Sequence, residues 1–560
     1  MARRQPKPVR TMADVDRLIG KMTLDQKVGQ CMTLAYYGTT ISQEVIERIE
    51  TLHCGGLRIT PHVNSAGRLD VVRRVAPYFT PGQYAETLNE LQAAAAARPL
   101  GLPLHMVTDQ EGDLSVDILR GGVQLLPSQM GLAATGSTAL TRQAARAVAG
   151  QLRALGIHMI HSPVLDVNIN PKNPEIGCRS FSDSPQRCAK YGAAFMRGLA
   201  DGGVVATGKH FPGRGDSSVD AHHTLPVLKV PRRRMDDVEL LPYAKLIPKG
   251  LPAVMTAHNA YPALDPSGLP ASISRRIVTG VLRGELGFDG VITTDAMSMA
   301  GLVAMCPTPE GCARALAAGN DLVLIKDTDD TPFEAFRAIK RYVQTGKIGE
   351  PQLNASVRRI LAMKLRHRIF SDRYVKPERA DETVRDPGVV RTARRAARRC
   401  VRVARDKRRR LPLSPKQNIL VVLPIHILYH EKGNDYWHAP TQLYQAIRRH
   451  APEAELFEFA IPDVDPAAVR HATKRAAEFD AVVAFSLVWR DHPRCHRMIR
   501  RLATSARRLI VVSNYEYDER FLPEAETLVV TYSSMPHSMD AAADALFGTL
   551  RPAGVSPLVG

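Results

Sequence analysis

Short apolar segments of strand length alternate with amphipathic segments of helical length over the first two-thirds of the chain. The strand candidates are 101–108, 159–167, 204–208, 253–257, 290–294 and 321–325, and the helix candidates between them include 138–155, 188–202, 277–286 and 332–345. Strands that alternate with helices predict βαβ units and a parallel sheet. Six or more such units in about 350 residues predict a (β/α)8 barrel of the TIM type.

A second, smaller α/β unit is predicted after a polar segment with two prolines at 371–388, which we interpret as a linker. Its strand candidates are 418–423, 481–485, 509–512 and 528–532, with helices at 440–449 and 466–477. This order predicts an open sheet with helices on both faces, an α/β sandwich.

Composition excludes several classes of protein. The 560 residues are 44% hydrophobic and 23% charged, values typical of globular chains and not of disordered, collagenous or coiled-coil ones. No apolar run reaches the roughly 18–20 residues of a membrane span, and the basic N-terminus has no apolar core behind it. The eight cysteines are scattered and form no CxxC pair, which favours a reducing compartment. We therefore expect a cytoplasmic protein without a membrane partner.

The net charge of +19 raises the alternative of a nucleic-acid-binding protein. The strongest basic run, 391–410, has alanines interleaved with its arginines and no aromatic side chains for stacking on bases. A solvated helix is the favoured interpretation of this run, and we expect no nucleic-acid partner.

Polar residues follow or end the predicted barrel strands. They are Asp109, Asp166, Lys209, His210, His258 and Asp295. Catalytic side chains of TIM barrels collect at the carboxyl ends of the strands, so we expect these residues at one face.

The most informative segment is the loop 208–227, GKHFPGRGDSSVDAHHTLPV. Asp220, two residues before His222, can accept a hydrogen bond from one ring nitrogen while the other nitrogen faces a substrate. An ordinary polar surface loop is the alternative. Long loops in compact domains tend to be functional, which favours a catalytic dyad.

Three carboxylates and an arginine are weaker candidates on spacing alone. Asp295 suits a nucleophile that forms a covalent glycosyl intermediate, but an Asp before a helix is also a common cap. Asp109 can accept hydrogen bonds from sugar hydroxyls, and Asp166 ends a predicted strand, with Arg179 in the loop beyond it. For these the capping of local backbone is an equal alternative.

Cofactor motifs are absent from the sequence. The histidines form no HExxH, no Cys/His set has zinc spacing, and there is no phosphate-binding GxxxxGK[ST] or dinucleotide fingerprint. We predict that no metal or organic cofactor is needed.

The chain resembles glycoside hydrolase family 3, and most closely its β-N-acetylhexosaminidase branch. KHFPGRGDSSVDAHHTLP is similar to that branch's KHFPGHG-x4-DSH-x3-P loop, and DQEG, PVLDVN, IGCRSF, MTAH and GFDGVITTDAMSM follow in the family's order. The resemblance extends to an opening helix at 22–30 and a closing segment at 527–558. It implies a catalytic barrel over 1–372, a linker and interdomain helix over 373–401, and an α/β sandwich domain over 402–560.

The resemblance also implies a role for each site residue. Asp295 would be the nucleophile, and His222 the acid/base, with Asp220 holding its ring. Asp109, Arg179, Lys209 and His210 would bind sugar hydroxyls, supported from behind by Asp166.

These roles imply a retaining exo-β-glycosidase that removes a non-reducing-end sugar, most often β-linked N-acetylglucosamine, by double displacement. The alternative on the same scaffold is a β-N-acetylglucosaminide or β-glucoside phosphorylase with phosphate as second substrate, because a neutral histidine base does not repel phosphate as a carboxylate would. The oligomeric state stays open, with a homodimer as one alternative.

Several positions depart from the branch motifs and leave the exact sugar and aglycone open. The branch pattern DQEGGRVQR is DQEGDLSVD here, which removes an arginine that would contact sugar. Arg214 replaces the usual His, Ala221 replaces Ser, and Ala296 stands where Asp is usual.

Overall fold

The chain folds into a closed barrel followed by an open sheet. The computed structural model describes residues 9–38, 40–60, 79–118, 121–426, 439–461, 464–488 and 495–559. Within these ranges, no helix is both long and apolar enough to cross a membrane.

Eight parallel strands form the barrel. They are β1 Met32–Tyr37, β2 Gly56–Thr60, β3 His105–Thr108, β4 Met159–Ile160, β5 Val205–Phe211, β6 Ala253–Thr256, β7 Val291–Ala296 and β8 Leu322–Ile325. Each strand pairs with its sequence neighbours, and β8 closes the ring on β1 through Met32–Val323, Thr33–Leu324 and Leu34–Ile325. The predicted TIM-type barrel is therefore confirmed.

Helices surround the barrel and bury their apolar faces against it. They are α1 Met12–Ile19, α2 Leu24–Gln30, α3 Gln43–Leu52, α4 Pro81–Ala96, α5 Gln129–Ala134, α6 Thr138–Leu155, α7 Pro185–Asp201, α8 Leu241–Leu246, α9 Ala300–Val303, α10 Thr308–Ala318, α11 Thr331–Gln344 and α12 Glu350–Arg366. The domain also contains two π-helical segments, Met235–Glu239 and Arg276–Glu285, and three 3-10 turns, Gly177–Arg179, Ile247–Lys249 and Ala271–Ile273. A helical turn at Arg232–Arg234 and a small antiparallel sheet of Gln110–Gly112 and Ser115–Val116 belong to it as well. Side-chain caps start several of these helices, as Ser137 does for α6.

The barrel strands differ from the sequence prediction in two ways. The prediction did not include β1 and β2, because β1 follows α2 after a single residue and β2 carries the charged Arg58 at its centre. The expected strand 159–167 is regular only over Met159–Ile160. Pro163 has no N–H to donate to the ladder, and pairing resumes only as an isolated bridge between Val164 and Lys209.

The second sheet has six strands, which are β9 Arg402–Asp406, β10 Ile419–His426, β11 Glu455–Ile461, β12 Ala481–Ser486, β13 Leu509–Ser513 and β14 Thr527–Val530. Their order across the sheet is β9-β14-β13-β12-β10-β11. All neighbours are parallel except β9, which lies antiparallel to β14 at the edge. The prediction of an open α/β sheet is confirmed, although β9 and β11 were not among the strand candidates taken from the apolar pattern. Its helices are α15 Ala439–Arg448, α16 Pro466–Ala476, α17 His496–Ala503, α18 Asp518–Phe521 and α19 Pro536–Leu546.

The segment between the two sheets is more ordered than the expected linker. It forms α13 Pro377–Val384 and α14 Pro387–Cys400. Pro377 and Pro387 occupy first-turn positions of these helices, where proline is tolerated. Ala380 and Val384 of α13 are buried. The basic run therefore forms a helix followed by strand β9.

Side chains from the barrel's part of the chain help to form the core of the second sheet. Leu114, Val116, Leu125, Met130 and Ala134 belong to the barrel's part of the chain, but they pack into the apolar cluster of the second sheet. The hydroxyl of Tyr517 donates to the carbonyl of Asn168 at 3.2 Å across the same junction. The second domain is thus packed beside the carboxyl face of the barrel.

Candidate active site

The loop after β5 carries the predicted dyad. Nδ1 of His222 lies 2.7 Å from Oδ1 of Asp220, and the backbone N–H of His222 donates to the same oxygen at 2.8 Å. The Asp220 side chain is 5% exposed and that of His222 is 35% exposed. With Nδ1–H donating to Asp220, Nε2 is the nitrogen that exchanges a proton with a substrate.

A close backbone approach fixes the start of this loop. A Cβ on Gly215 would lie 1.9 Å from the carbonyl oxygen of Val167, so only glycine fits there. One residue earlier, the backbone N–H of Arg214 donates to Oδ1 of Asp166 at 2.8 Å. The loop is therefore held against the segment that follows β4.

Asp295 ends β7 and faces this loop. Its Oδ1 accepts the N–H of Ala296 at 2.8 Å, and its Oδ2 lies 3.4 Å from the guanidinium of Arg214. Burial alone would raise the pKa of Asp295, but its interactions with Arg214, His258 and Lys326 outweigh burial and hold the pKa at about 2. The carboxylate is therefore ionised at neutral pH, as a nucleophile requires.

A buried charge network occupies the ends of β3 and β5. Nζ of Lys209 lies 2.9 Å from Asp109 and 2.6 Å from Glu111, and Arg179 binds Glu111 through two nitrogens at 2.8 and 2.9 Å. Arg58 of β2 also pairs with Asp109. Burial would raise the pKa of Asp109, but Lys209 and Arg58 hold it well below its ordinary value. Three of the predicted sugar-binding side chains, Asp109, Lys209 and Arg179, thus belong to one network.

Asp166 and His210 lie deeper. The Nδ1 of His210 is 2.6 Å from Oδ2 of Asp166, and both side chains are buried. Burial raises the pKa of Asp166 to about 6 despite the nearby Arg214, and burial lowers the pKa of His210 well below its ordinary value. His210 is therefore neutral and donates to Asp166 behind the mouth of the barrel.

Four residues near the site were not selected from the sequence: Arg58, Glu111, Glu175 and Lys326. Glu111 lies inside the motif DQEG and Glu175 directly precedes the motif IGCRSF, but nothing in a single sequence distinguishes them from exposed carboxylates. Lys326 follows β8, and burial lowers its pKa to about 8. The end of β8 carried no polar candidate in the sequence prediction.

His258, noted among the strand ends, contacts the backbone at the end of β7. Its Nε2 lies 2.9 Å from the carbonyl oxygen of Ala296, and its Nδ1 lies 2.7 Å from the hydroxyl of Ser272. This pairing holds the end of β7 in place.

Two of the departures from the branch motifs are neighbours in space. Ala221 and Ala296 form a small buried apolar cluster with Met299 and Leu324. A hydroxyl or carboxylate in that cluster would need a polar partner. The two alanines therefore fit one environment, between the loop after β5 and the end of β7.

One group in the described ranges has geometry open to a metal ion. Ligand atoms of Glu175, Asp220 and His222 lie within 4.8 Å of one another. The guanidinium of Arg214 already lies 2.7 Å from Glu175 and would repel a cation there. The arrangement fits an ion-paired acid/base better than a metal centre.

The second domain borders the site. Val488, Asn514 and Tyr515 line a cleft together with barrel residues that include Glu175 and Arg179. Asp113 is buried at the same junction, where its carboxylate accepts from Asn514 at 3.0 Å and from the N–H of Ser534 at 2.8 Å. Burial raises the pKa of Asp113 to about 6.

Comparisons of sequence and of fold relate this chain to known proteins. Residues 23–363 match the family model described as the glycosyl hydrolase family 3 N terminal domain. The solved structure of a glycoside hydrolase family 3 β-N-acetylglucosaminidase from Paenibacillus sp. superposes with a TM-score of 0.84 at 31% identity, covering 96% of this chain and 99% of that one. A β-glucoside phosphorylase superposes with a TM-score of 0.80 at 22% identity, covering 100% of this chain and 97% of that one, a likeness of fold alone.

Relatives of known sequence carry similar names. The beta-hexosaminidase A of Pseudoalteromonas piscicida is 36% identical over 303 residues, which span 50% of this chain and only 50% of that protein. The beta-N-acetylglucosaminidase/beta-glucosidase of Cellulomonas fimi is 28% identical over 412 residues, which span 72% of this chain and 68% of that protein. The family model covers more than half of the chain, and the family predicted from the motifs is confirmed: this chain belongs to glycoside hydrolase family 3.

Proposed function

We propose that this protein is a retaining exo-β-glycosidase that releases a non-reducing-end sugar by double displacement. The observation that carries the proposal is the pairing of an ionised carboxylate at the end of β7 with a carboxylate-held histidine on the loop after β5. Arg214 contacts both Asp295 and Glu175, and the carboxylate of Glu175 lies 3.4 Å from Nδ1 of His222. A nucleophile and a proton donor that meet at the strand ends of one barrel are what double displacement requires.

In the first step, a carboxylate oxygen of Asp295 attacks C1 of the sugar. The bond between C1 and the glycosidic oxygen breaks, and its electron pair goes to that oxygen. The leaving oxygen takes the proton from Nε2 of His222, while Asp220 keeps its hydrogen bond to Nδ1. The products are a glycosyl ester on Asp295 and the free aglycone.

In the second step, the neutral imidazole of His222 takes a proton from water. The water oxygen bonds to C1 as the ester bond to Asp295 breaks, which regenerates the carboxylate and the protonated imidazole. Two inversions at C1 give net retention of configuration. No metal or organic cofactor takes part, so dialysis against EDTA is expected to leave kcat unchanged.

The sugar is bound by the network at the ends of β3 and β5. Asp109 and Lys209 present a carboxylate and an ammonium group to hydroxyls, with Arg179 and His210 beside them. The family relatives named for β-N-acetylglucosaminides support N-acetylglucosamine as the sugar. The buried ion pairs pre-set these side chains before substrate arrives.

The test is a panel of nitrophenyl glycosides that differ only in the sugar. We expect the N-acetyl-β-glucosaminide to react fastest, and proton NMR to detect the β-anomer of the free sugar first. Initial release of the α-anomer would exclude double displacement, and a faster β-glucoside would change the sugar assignment.

Phosphorolysis is the second candidate for the same site. The neutral histidine base is compatible with an incoming phosphate. Lys209 and Arg214, two cations that could hold that anion, each already pair with two carboxylates. This pairing favours water as the acceptor. Sugar 1-phosphate formed on addition of inorganic phosphate would reverse that choice.

A further inference from the structure

Arg214 and Glu175 form a buried pair that no step above uses. The Arg214 side chain is 2% exposed and contacts two carboxylates, Glu175 at 2.7 Å and Asp295 at 3.4 Å. The same Glu175 oxygen lies 3.4 Å from Nδ1 of His222. One guanidinium therefore joins the surroundings of the nucleophile to those of the acid/base.

The effect of the Arg214–Glu175 pair depends on the charged groups around His222 and Asp295. His222 faces the carboxylates of Asp220 and Glu175, and it interacts electrostatically with Asp295. Asp295 faces the positive charges of Arg214 and Lys326, as well as His258 and His222. Burial would raise the pKa of Glu175, but Arg214 and His222 outweigh it and hold the pKa at about 2.

We propose that Arg214 and Glu175 are positioning residues that couple the charge on Asp295 to the protonation of His222. The proposal rests on the glycosidase mechanism above. Before attack, Arg214 is shared by two carboxylates, so Glu175 keeps much of its charge toward His222 and stabilises the protonated ring.

Formation of the glycosyl ester removes the charge on Asp295. Glu175 is then the only charged carboxylate of the two that Arg214 contacts, so Arg214 neutralises it more fully. The negative potential that favours the protonated ring of His222 therefore weakens. His222 is therefore driven toward the neutral form at the moment when the mechanism needs a base. The coupling makes one histidine an acid in the first step and a base in the second.

The experiment compares pH profiles of kcat/KM for an alkyl glycoside, whose basic leaving oxygen needs the proton of His222, in the wild type, Glu175→Gln, Arg214→Gln and the double variant. Glu175→Gln should move the alkaline limb to lower pH by about 0.5–1 unit, because one carboxylate beside the imidazole is lost. Arg214→Gln should raise the acid limb by about one unit or more, because Asp295 loses its nearest cation. The double variant should show both shifts, with the alkaline limb close to that of Glu175→Gln.

Two further variants keep the test decisive. Arg214→Lys preserves the charge, so its limbs should stay within about 0.3 unit of the wild type even if kcat falls. Glu516→Gln removes the carboxylate of another buried Arg–Glu pair, with Arg402 at 2.8 Å in the second domain, and should leave both limbs in place. If Arg214→Gln does not fold, Glu175→Gln and Arg214→Lys together still test the coupling.

Equal loss of activity at every pH in Glu175→Gln, with both limbs unmoved, would reduce the pair to a structural role and overturn the proposal. The mechanism itself is tested separately by Asp295→Ala. If Asp295→Ala still turns over, the glycosidase assignment fails; if it is inactive while the limbs of the pair variants stay fixed, only the coupling fails.

Discussion

The mouth of the barrel and the corresponding edge of the second sheet have similar components but different roles. Both are the carboxyl ends of parallel strands, and both carry buried polar side chains. At the barrel mouth, Lys209, Arg179 and Arg214 each bind carboxylates that surround one concave site. At the edge of the second sheet, Asp518 accepts from Ser513 at 2.7 Å and lies 2.8 Å from Nε2 of His496.

The polar groups of the second edge are used to dock that domain. Asn514 binds Asp113 of the barrel at 3.0 Å, and the hydroxyl of Tyr515 donates to the carbonyl of Pro171 at 3.2 Å. A closed barrel brings all its strand ends around one axis, whereas an open sheet spreads them along a line. Polar strand ends thus mark a site only when the topology makes them converge.

The largest expected effect lies at Asp295. Asp295→Ala should lower kcat by about a thousandfold or more without loss of the folded state, because a covalent intermediate needs a nucleophile. Release of nitrophenol and far-UV circular dichroism measure the two properties. Activity within about tenfold of the wild type, only ~1.4 kcal/mol of barrier, would remove Asp295 from this role.

His222→Ala should depend on the leaving group. Alkyl glycosides should lose far more rate than aryl ones, because only a basic leaving oxygen needs the proton, and aryl substrates should give a burst of phenol. Asp220→Asn should give a milder form of the same pattern. His223→Ala serves as the control and should change little; a burst in His223→Ala but not in His222→Ala would shift the acid/base by one residue.

The carboxylates beside Arg214 should make the stability of the folded protein depend on pH below about pH 5. The pKa values of Asp295 and Glu175 are about 2 in the folded protein, below their ordinary values, so their stabilising contribution is complete above about pH 5 and is lost as pH falls toward 2. Arg214→Gln removes the main cation beside both, so its Tm should fall less steeply below pH 5 than that of the wild type. Scanning calorimetry at several pH values measures this slope, and an unchanged slope would contradict the assigned cause.

The smallest effect is expected in the second domain. Glu516→Gln and Asp480→Asn should leave kcat within about twofold, because His222 already supplies the acid/base from the barrel. Glu516→Gln should nevertheless lower Tm, since Glu516 binds Arg402, the hydroxyl of Tyr532 and the hydroxyl of Ser556. A large loss of kcat that azide restores in either variant would place an essential carboxylate in the second domain.

Sequence patterns were enough to predict the architecture and the candidate catalytic residues. The alternation of strand-length and helix-length segments predicted the barrel, and the spacing of Asp220 and His222 predicted a dyad that the structure draws to 2.7 Å. Two barrel strands were missed where local signals conflict with the fold. One is β2, where the charge of Arg58 is compensated by Asp109 and Asp117 from the segment after β3. Local propensity cannot anticipate a partner about 50 residues away.

The sequence by itself determined the residue types, their order along the chain and the strand ends on which they fall, because periodicity and short motifs are local properties. Only the tertiary structure decided that Glu175 and Arg214 stand between Asp295 and His222, and that Ala221 and Ala296 share one apolar cluster. These pairs are 39 and 75 residues apart in the chain. Closure of the barrel brings them together, and in its low-dielectric interior that proximity sets which carboxylates are ionised.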